Sequence, residues 1–145
     1  MNHHLLTKLS LLITLLMFLV SFSDAFRLIR HKKTVNITND LDIGDFKDLI
    51  LHCKSKNDDL GEHELVYKDS YSFTFRPDYW RTSQFFCFFK WEENNKNRTE
   101  WFDIYIDERD KERGTICYWN IESPGPCMLN EATSKFDICF PWNPK

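Results

Sequence analysis

From Thr34 onward the apolar residues of this chain recur at every second position, and that period most limits what it can fold into. Tyr71-Ser72-Phe73-Thr74-Phe75 alternates ring with hydroxyl, Thr34–Asn39 puts Val35 and Ile37 on one face, and Thr99–Ile106 and Thr115–Ile121 repeat the pattern. Successive side chains of a strand point to opposite faces, so each segment reads as a strand with one buried face. Gln84–Trp91 is apolar on both faces, with Phe85, Cys87 and Phe89 against Phe86 and Phe88. That predicts a central strand packed on each side. Lys47–Cys53, a short edge at Glu64–Tyr67, and Phe136–Phe140 complete the set. Turn-forming residues separate them at Arg76-Pro77-Asp78, Glu93–Asn97, Asp107–Arg113 and Ser123–Pro126,. About seven or eight such strands, with no amphipathic helical period between them, predict an all-β fold, a small antiparallel β-sandwich. Its expected core is Phe73, Phe75, Phe88, Ile104 and Trp119. Aromatics make up 16% of the chain, which suits a sheet core and argues against disorder,.

The first 25 residues stand apart. Lys8 and two histidines precede an almost unbroken apolar run, Leu9–Phe22, and Ser23-Asp24-Ala25 offers a small-x-small cleavage site. The run falls short of the roughly 20 residues a spanning helix needs. It reads as a secretory signal (residues 1–25) cleaved after Ala25, leaving Phe26–Lys145 as one exported domain (residues 26–145). The charge of −3 is spread without single-sign blocks, and no concentrated basic face points to nucleic acid,.

All five cysteines, Cys53, Cys87, Cys117, Cys127 and Cys139, follow the signal. In an exported domain this predicts a disulfide framework, each bridge contributing about 2–4 kcal/mol. An odd number leaves at least one thiol over. Cys53 and Cys87, in strongly apolar strand contexts, are expected to be bridged; the pairing stays open. No C-x2-C pair supports a zinc site, and no cofactor is expected.

One stretch ties these features together. Asp48–Cys53 is apolar and strand-like, ends on a cysteine, and passes through Lys54-Ser55-Lys56-Asn57 into a turn closed by Asp59-Leu60-Gly61,. His52 and Cys53 are adjacent on a strand, so their side chains diverge and form no dyad. Asp58-Asp59 lacks the spacing of a calcium loop. The run His52-Cys53-Lys54-Ser55 followed by Asp58-Asp59-Leu60-Gly61 resembles the signature of the plant self-incompatibility S-proteins and their homologues. Further pieces stand in the family's order: Val35–Asn39, Tyr71–Arg76, Phe86-Cys87-Phe88 with Trp91, Phe102–Tyr105, Cys117–Ile121 and Gly125-Pro126-Cys127. The resemblance implies a small β-sandwich stapled by two disulfides. It departs from the family where members often carry a cysteine just before the one matching Cys117 and this chain has Gly114. It also implies a ligand released by plant tissue and sensed by a membrane protein on another cell. In the founding case that partner is on pollen, and calcium signalling and pollen rejection follow.

The residues themselves point away from catalysis. Among the histidines after the signal, only His52 and His63 flank a common turn, and an acid–base ribonuclease would need two converging on one phosphate. Gly-x-Ser-x-Gly is absent, and Asp58-Asp59 and Glu92-Glu93 read as solvated turn carboxylates. Recognition is therefore expected on loops: Lys56, Asn57 and Asp58; Tyr79, Trp80 and Arg81 after Asp78; Glu92 and Glu93 through Lys96; and Asp107, Glu108, Arg109, Asp110 and Lys111. The expected partner is a cell-surface membrane protein on a recipient cell, with no nucleic acid partner, no membrane span after signal cleavage and a monomeric state. A glycan-binding module using Tyr79-Trp80, or a small ribonuclease-like defence protein, is the alternative. Two sequons are glycosylation candidates: Asn97 in a polar turn, and Asn36 in a strand but pointing away from Val35 and Ile37,.

Overall fold

The computed structural model describes residues 2–28, 31–42 and 47–145, without the side chains of residues 23–28. The chain divides into two compact units, residues 1–31 and 32–145. In the first, helix α1 (His3–Leu28) contains a 20-residue stretch, His3–Phe22, long and apolar enough to cross a membrane. It exceeds the run expected from Leu9, because Leu5 and Leu6 continue it across Thr7 and Lys8; a signal sequence meets the same criterion. The expected cleavage residues Ser23-Asp24-Ala25 lie in the helix, but their side chains are outside the described ones.

The second unit is a two-sheet sandwich. Among the described residues its strands are β1 (Lys33–Asn39), β2 (Leu49–Lys54), β3 (Asp59–Leu65), β4 (Ser70–Phe75), β5 (Gln84–Glu93), β6 (Lys96–Ile106), β7 (Ile116–Glu122), β8 (Gly125–Asn130) and β9 (Lys135–Cys139). One sheet runs β4-β1-β7-β8-β9, the other β3-β2-β5-β6. Each pair is antiparallel except β1 with β7, which run parallel with Val35 opposite Cys117 and Ile37 opposite Trp119. Both disulfides join directly opposed residues on neighbouring strands: Cys53–Cys87 across β2 and β5, Cys127–Cys139 across β8 and β9.

The period-two pattern places the core. Val35, Ile37, Leu49, Leu51, Cys53, Phe85, Cys87, Phe89, Phe102, Ile104, Trp119 and Ile121 are buried between the sheets. Phe73 joins them and Phe75 packs against them, its ring 4.6 Å from that of Phe85 across the sheets. Two expectations are corrected. β5 is an interior strand but is packed on one face only: Phe86 is half-buried and Phe88 is 39% exposed, because they lie on the face of the four-stranded sheet turned away from the five-stranded one. Asp59-Leu60-Gly61 does not close a turn. The turn lies at 55–58, where Ser55 Oγ accepts the Asp58 N–H (3.0 Å), and β3 starts at Asp59, five residues before the expected edge strand. Gly61 sits in β3 at φ +76°, a left-handed conformation glycine adopts without strain,.

The contrast along β5 is measurable. Phe89→Ala should cost about 3–5 kcal/mol, and Phe88→Ala about 1 kcal/mol or less, as for a surface substitution. Urea unfolding of both variants checks this, and equal losses would contradict the face assignment.

Candidate recognition surface

β1 sets the polarity of the sandwich. Four connections lie at the end where it starts, near Lys33: residues 55–58, 76–83, 107–115 and 131–134. Residues 40–42, 47–48, 66–69, 94–95 and 123–124 lie at the Asn39 end. Three of the four expected recognition loops thus share the Lys33 end. The fourth, Glu92–Lys96, is a hairpin at the opposite end. There Glu93 is not a free surface carboxylate: Arg98 donates to it (2.7 Å), as does Ser123 Oγ (2.7 Å), and the guanidinium holds its carboxyl below the usual range. Glu92 is exposed and pairs with Lys47 (3.7 Å).

At the Lys33 end, charged residues hold the loops from inside. Helix α2 (Asp107–Asp110) follows β6 directly. Asp110, 0% exposed, accepts the Ile106 N–H (3.0 Å) and both Nε and Nη2 of Arg109 (2.8 and 2.7 Å), with Arg113 3.5 Å away. The Arg109 guanidinium lies 5.0–5.3 Å from the ring centres of Phe102, Trp119 and Phe140 and donates to Asp103 O,. Asp107 is buried, accepts the Tyr105 hydroxyl (2.8 Å), and donates its N–H to Ser83 O (3.0 Å), which ties α2 to the 76–83 loop. Burial, with the Asp107 carboxylate beside it, pushes the Tyr105 hydroxyl far above its ordinary range. The expectation for 107–111 is therefore corrected: Asp107 and Asp110 are interior and Arg109 is mostly covered, each hydrogen-bonded to partners inside, as buried charges are,. Glu108 and Lys111 remain exposed.

Lys33 was missed by sequence reasoning. Its Nζ donates to the carbonyls of Asp110, Lys111, Arg113 and Gly114 at 2.7–3.4 Å, filling the concave side of the loop. A signal was present: Lys33 and Asn39 share the inward phase of Val35 and Ile37, where an unpaired polar group is costly,. Asn39 likewise holds its own end, donating to Lys47 O and Leu65 O.

The 76–83 loop is braced and displays aromatics. Asp78 accepts the N–H and hydroxyl of Thr82 (2.8 and 2.6 Å), and Ser83 Oγ accepts the Asp78 N–H (2.7 Å). Arg81 takes a left-handed backbone at φ +56°. At the tip Trp80 is 80% and Tyr79 63% exposed, their rings perpendicular (89°) and 5.3 Å apart. Lys56, Asn57 and Asp58 are exposed on the neighbouring 55–58 turn.

The two histidines do not converge. His52 faces outward, opposite Glu62, and donates to Asp59 (2.5 Å); Lys54 and the Gly61 N–H also donate to that carboxylate, whose pKa falls far below the usual range with the His52 bond as leading cause. His63 lies on the opposite face, opposite Leu51, stacked 3.8 Å from Tyr71 and bonded to Leu60 O. Cys117 is the free cysteine; burial, then the nearby Asp110, pushes its thiol up to about 11, leaving it little thiolate character,. No group of three or more His, Cys, Asp or Glu among the described residues could hold a metal ion.

Residues 34–142 match the family profile described as plant self-incompatibility protein S1. From Arabidopsis thaliana, S-protein homolog 2 is 43% identical over 117 residues, covering 77% of this chain and 69% of that protein. S-protein homolog 3 is 45% identical over 115 residues, covering 77% and 73%. A solved structure of a self-incompatibility protein homologue aligns with a TM-score of 0.55 at 19% identity, over 81% of this chain and 99% of its own. It is described as one of a widespread family of small, highly stable, secreted proteins from plants.

Proposed function

Because this chain belongs to the plant self-incompatibility protein S1 family, we propose that it is an exported cell–cell signalling ligand, read by a membrane protein on a recipient cell. In this reading α1 is a secretory signal removed after Ala25, and residues 26–145 act as an extracellular monomer without cofactor or nucleic acid partner. The observation that carries the reading is the braced 76–83 loop with Trp80 and Tyr79 standing in solvent. Beyond its edge-on contact with Tyr79, an indole this exposed gains little packing in the free protein, whereas Trp and Tyr dominate binding once a partner desolvates them,. Exposed charge of both signs around them, from Lys56, Asp58, Arg81, Glu108 and Lys111, suits selective encounter with a protein surface,.

The corrected position of Asp107 and Asp110 decides the experiment. Exchanging the whole 107–111 segment would unfold the domain, so the substitutions belong on the exposed tips. The double variant Tyr79→Ala/Trp80→Ala should keep the wild-type unfolding midpoint and lose about 30-fold or more in binding to responsive cells. His52→Gln with His63→Gln should leave activity intact wherever the fold survives. Unchanged binding by the folded aromatic variant, together with inactivity of the folded histidine variant, would reject the ligand reading in favour of an acid–base enzyme.

A further inference from the structure

We infer that Asn97 carries an N-linked oligosaccharide whose first sugars lie along β6 over the exposed ring of Phe88 and the partly exposed ring of Trp101, whose Nε1 donates to Pro144 O (3.0 Å). The inference rests on the exported reading above. Asn97-Arg98-Thr99 has the acceptor spacing,, but the residues are not in a turn as expected: Asn97 is the second residue of β6, opposite Glu92. Both Asn97 and Thr99 are exposed, and as alternate strand residues they point to the same side as Trp101, the outer face of the four-stranded sheet,. Among the described residues the Asn97 side chain makes no hydrogen bond, unlike that of Asn36.

The other sequon supplies the contrast. Asn36 sits in mid-β1, flanked by β4 and β7. Its Nδ2 donates to Ser72 Oγ (2.6 Å), within a ladder that continues in Thr34–Thr74 (2.9 Å) and Thr38–Ser70 (2.7 Å). A sugar on Asn36 would remove that bond and crowd both neighbouring strands.

A second, independent observation says where the Asn97 sugar goes. Phe88 is opposite Trp101 on the same outer face, 39% exposed, with Phe86 beside it on β5. Trp101 is four residues from Asn97, about 13 Å along the strand, within reach of a branched oligosaccharide core. The C–H faces of pyranose rings pack on aromatic faces and their hydroxyls stay in water, which suits a patch rimmed by Lys90, Glu62 and Thr99,. In the attachment step the Asn97 amide nitrogen attacks the anomeric carbon of a polyprenyl-pyrophosphate oligosaccharide. The N–C1 bond forms, the C1–O bond breaks, the amide gives up one proton, and the lipid pyrophosphate leaves with the bonding pair.

The test expresses the full chain in plant cells and takes intact masses from medium and cell fractions. Wild type in the medium should exceed the polypeptide mass by one glycan, and Asn97→Gln and Thr99→Ala should each lose it, while Asn36→Gln retains it. Amidase removal of the glycan should lower the wild-type unfolding midpoint by about 3 °C, and Phe88→Ala should shrink that difference. Bare polypeptide in the medium overturns the glycan and leaves the export reading standing; bare polypeptide confined to cells overturns both. A glycan that survives Asn97→Gln overturns the site. A midpoint indifferent to glycan removal, or a difference unchanged by Phe88→Ala, overturns the covering of Trp101 and Phe88.

Discussion

Trp119→Ala should cost the domain about 3–5 kcal/mol of stability. Trp119 is 0% exposed in β7, with Phe102 at 5.3 Å and Phe140 at 5.8 Å. Truncating it empties the contact between the sheets, and such changes cost about 3–5 kcal/mol. It also removes one of the three rings around Arg109, whose buried charge then faces a void. A domain with about 5–15 kcal/mol in total has little to spare. Near-ultraviolet circular dichroism and a denaturant titration would show it. A native spectrum with a loss under about 1 kcal/mol would mean that Trp119 is not the centre of the core.

Asp110→Ala should be nearly as damaging, although sequence alone makes Asp110 a surface residue. Its carboxylate compensates Arg109, faces Arg113 and accepts the Ile106 N–H. Removing one partner of a buried pair costs about 3–5 kcal/mol, because the other is left buried and uncompensated. Asp110→Asn keeps an acceptor for the Ile106 N–H and should cost less. Amide hydrogen exchange adds a local reading: Ile106 should lose protection in the Ala variant and keep more of it in the Asn variant. An Ala variant as stable as wild type would contradict the interior placement of α2.

How far the sequence could be read follows from these residues. Alternation in Tyr71–Phe75 and Thr99–Ile106 located β4 and β6, since period two is a local property of the chain,. β8 was missed because Gly125-Pro126 reads as a turn. Gly125 in fact opens a strand at φ +155°, where an added Cβ would stand 2.0 Å from Phe140 O. Phe86 and Phe88 read as interior because an apolar residue does not announce whether anything covers it. The 107–111 segment failed for the opposite reason: a charge announces its polarity but not its partner, and Arg109's rings come from three separate strands or their ends. For Tyr79 and Trp80 the sequence allows packing under their loop as readily as exposure, and the structure leaves both rings exposed.

The parallel pairing of β1 with β7 has a consequence for the order in which the molecule can be built. Residues 49–106 contain every strand of the four-stranded sheet, and Cys53 and Cys87 with them, so that half can close as soon as β6 has emerged. The other sheet has its first strand threaded between β4 and β7, and β7 is among the last segments made. In a chain delivered N-terminus first, β1 must wait, half-paired, until about residue 121 arrives, and pairings this distant in sequence form slowly. During that interval Cys117 emerges unpaired, after its neighbours in the finished half are already committed to each other. Closing Cys53–Cys87 with that half would leave only the three thiols of Cys117, Cys127 and Cys139 to be sorted.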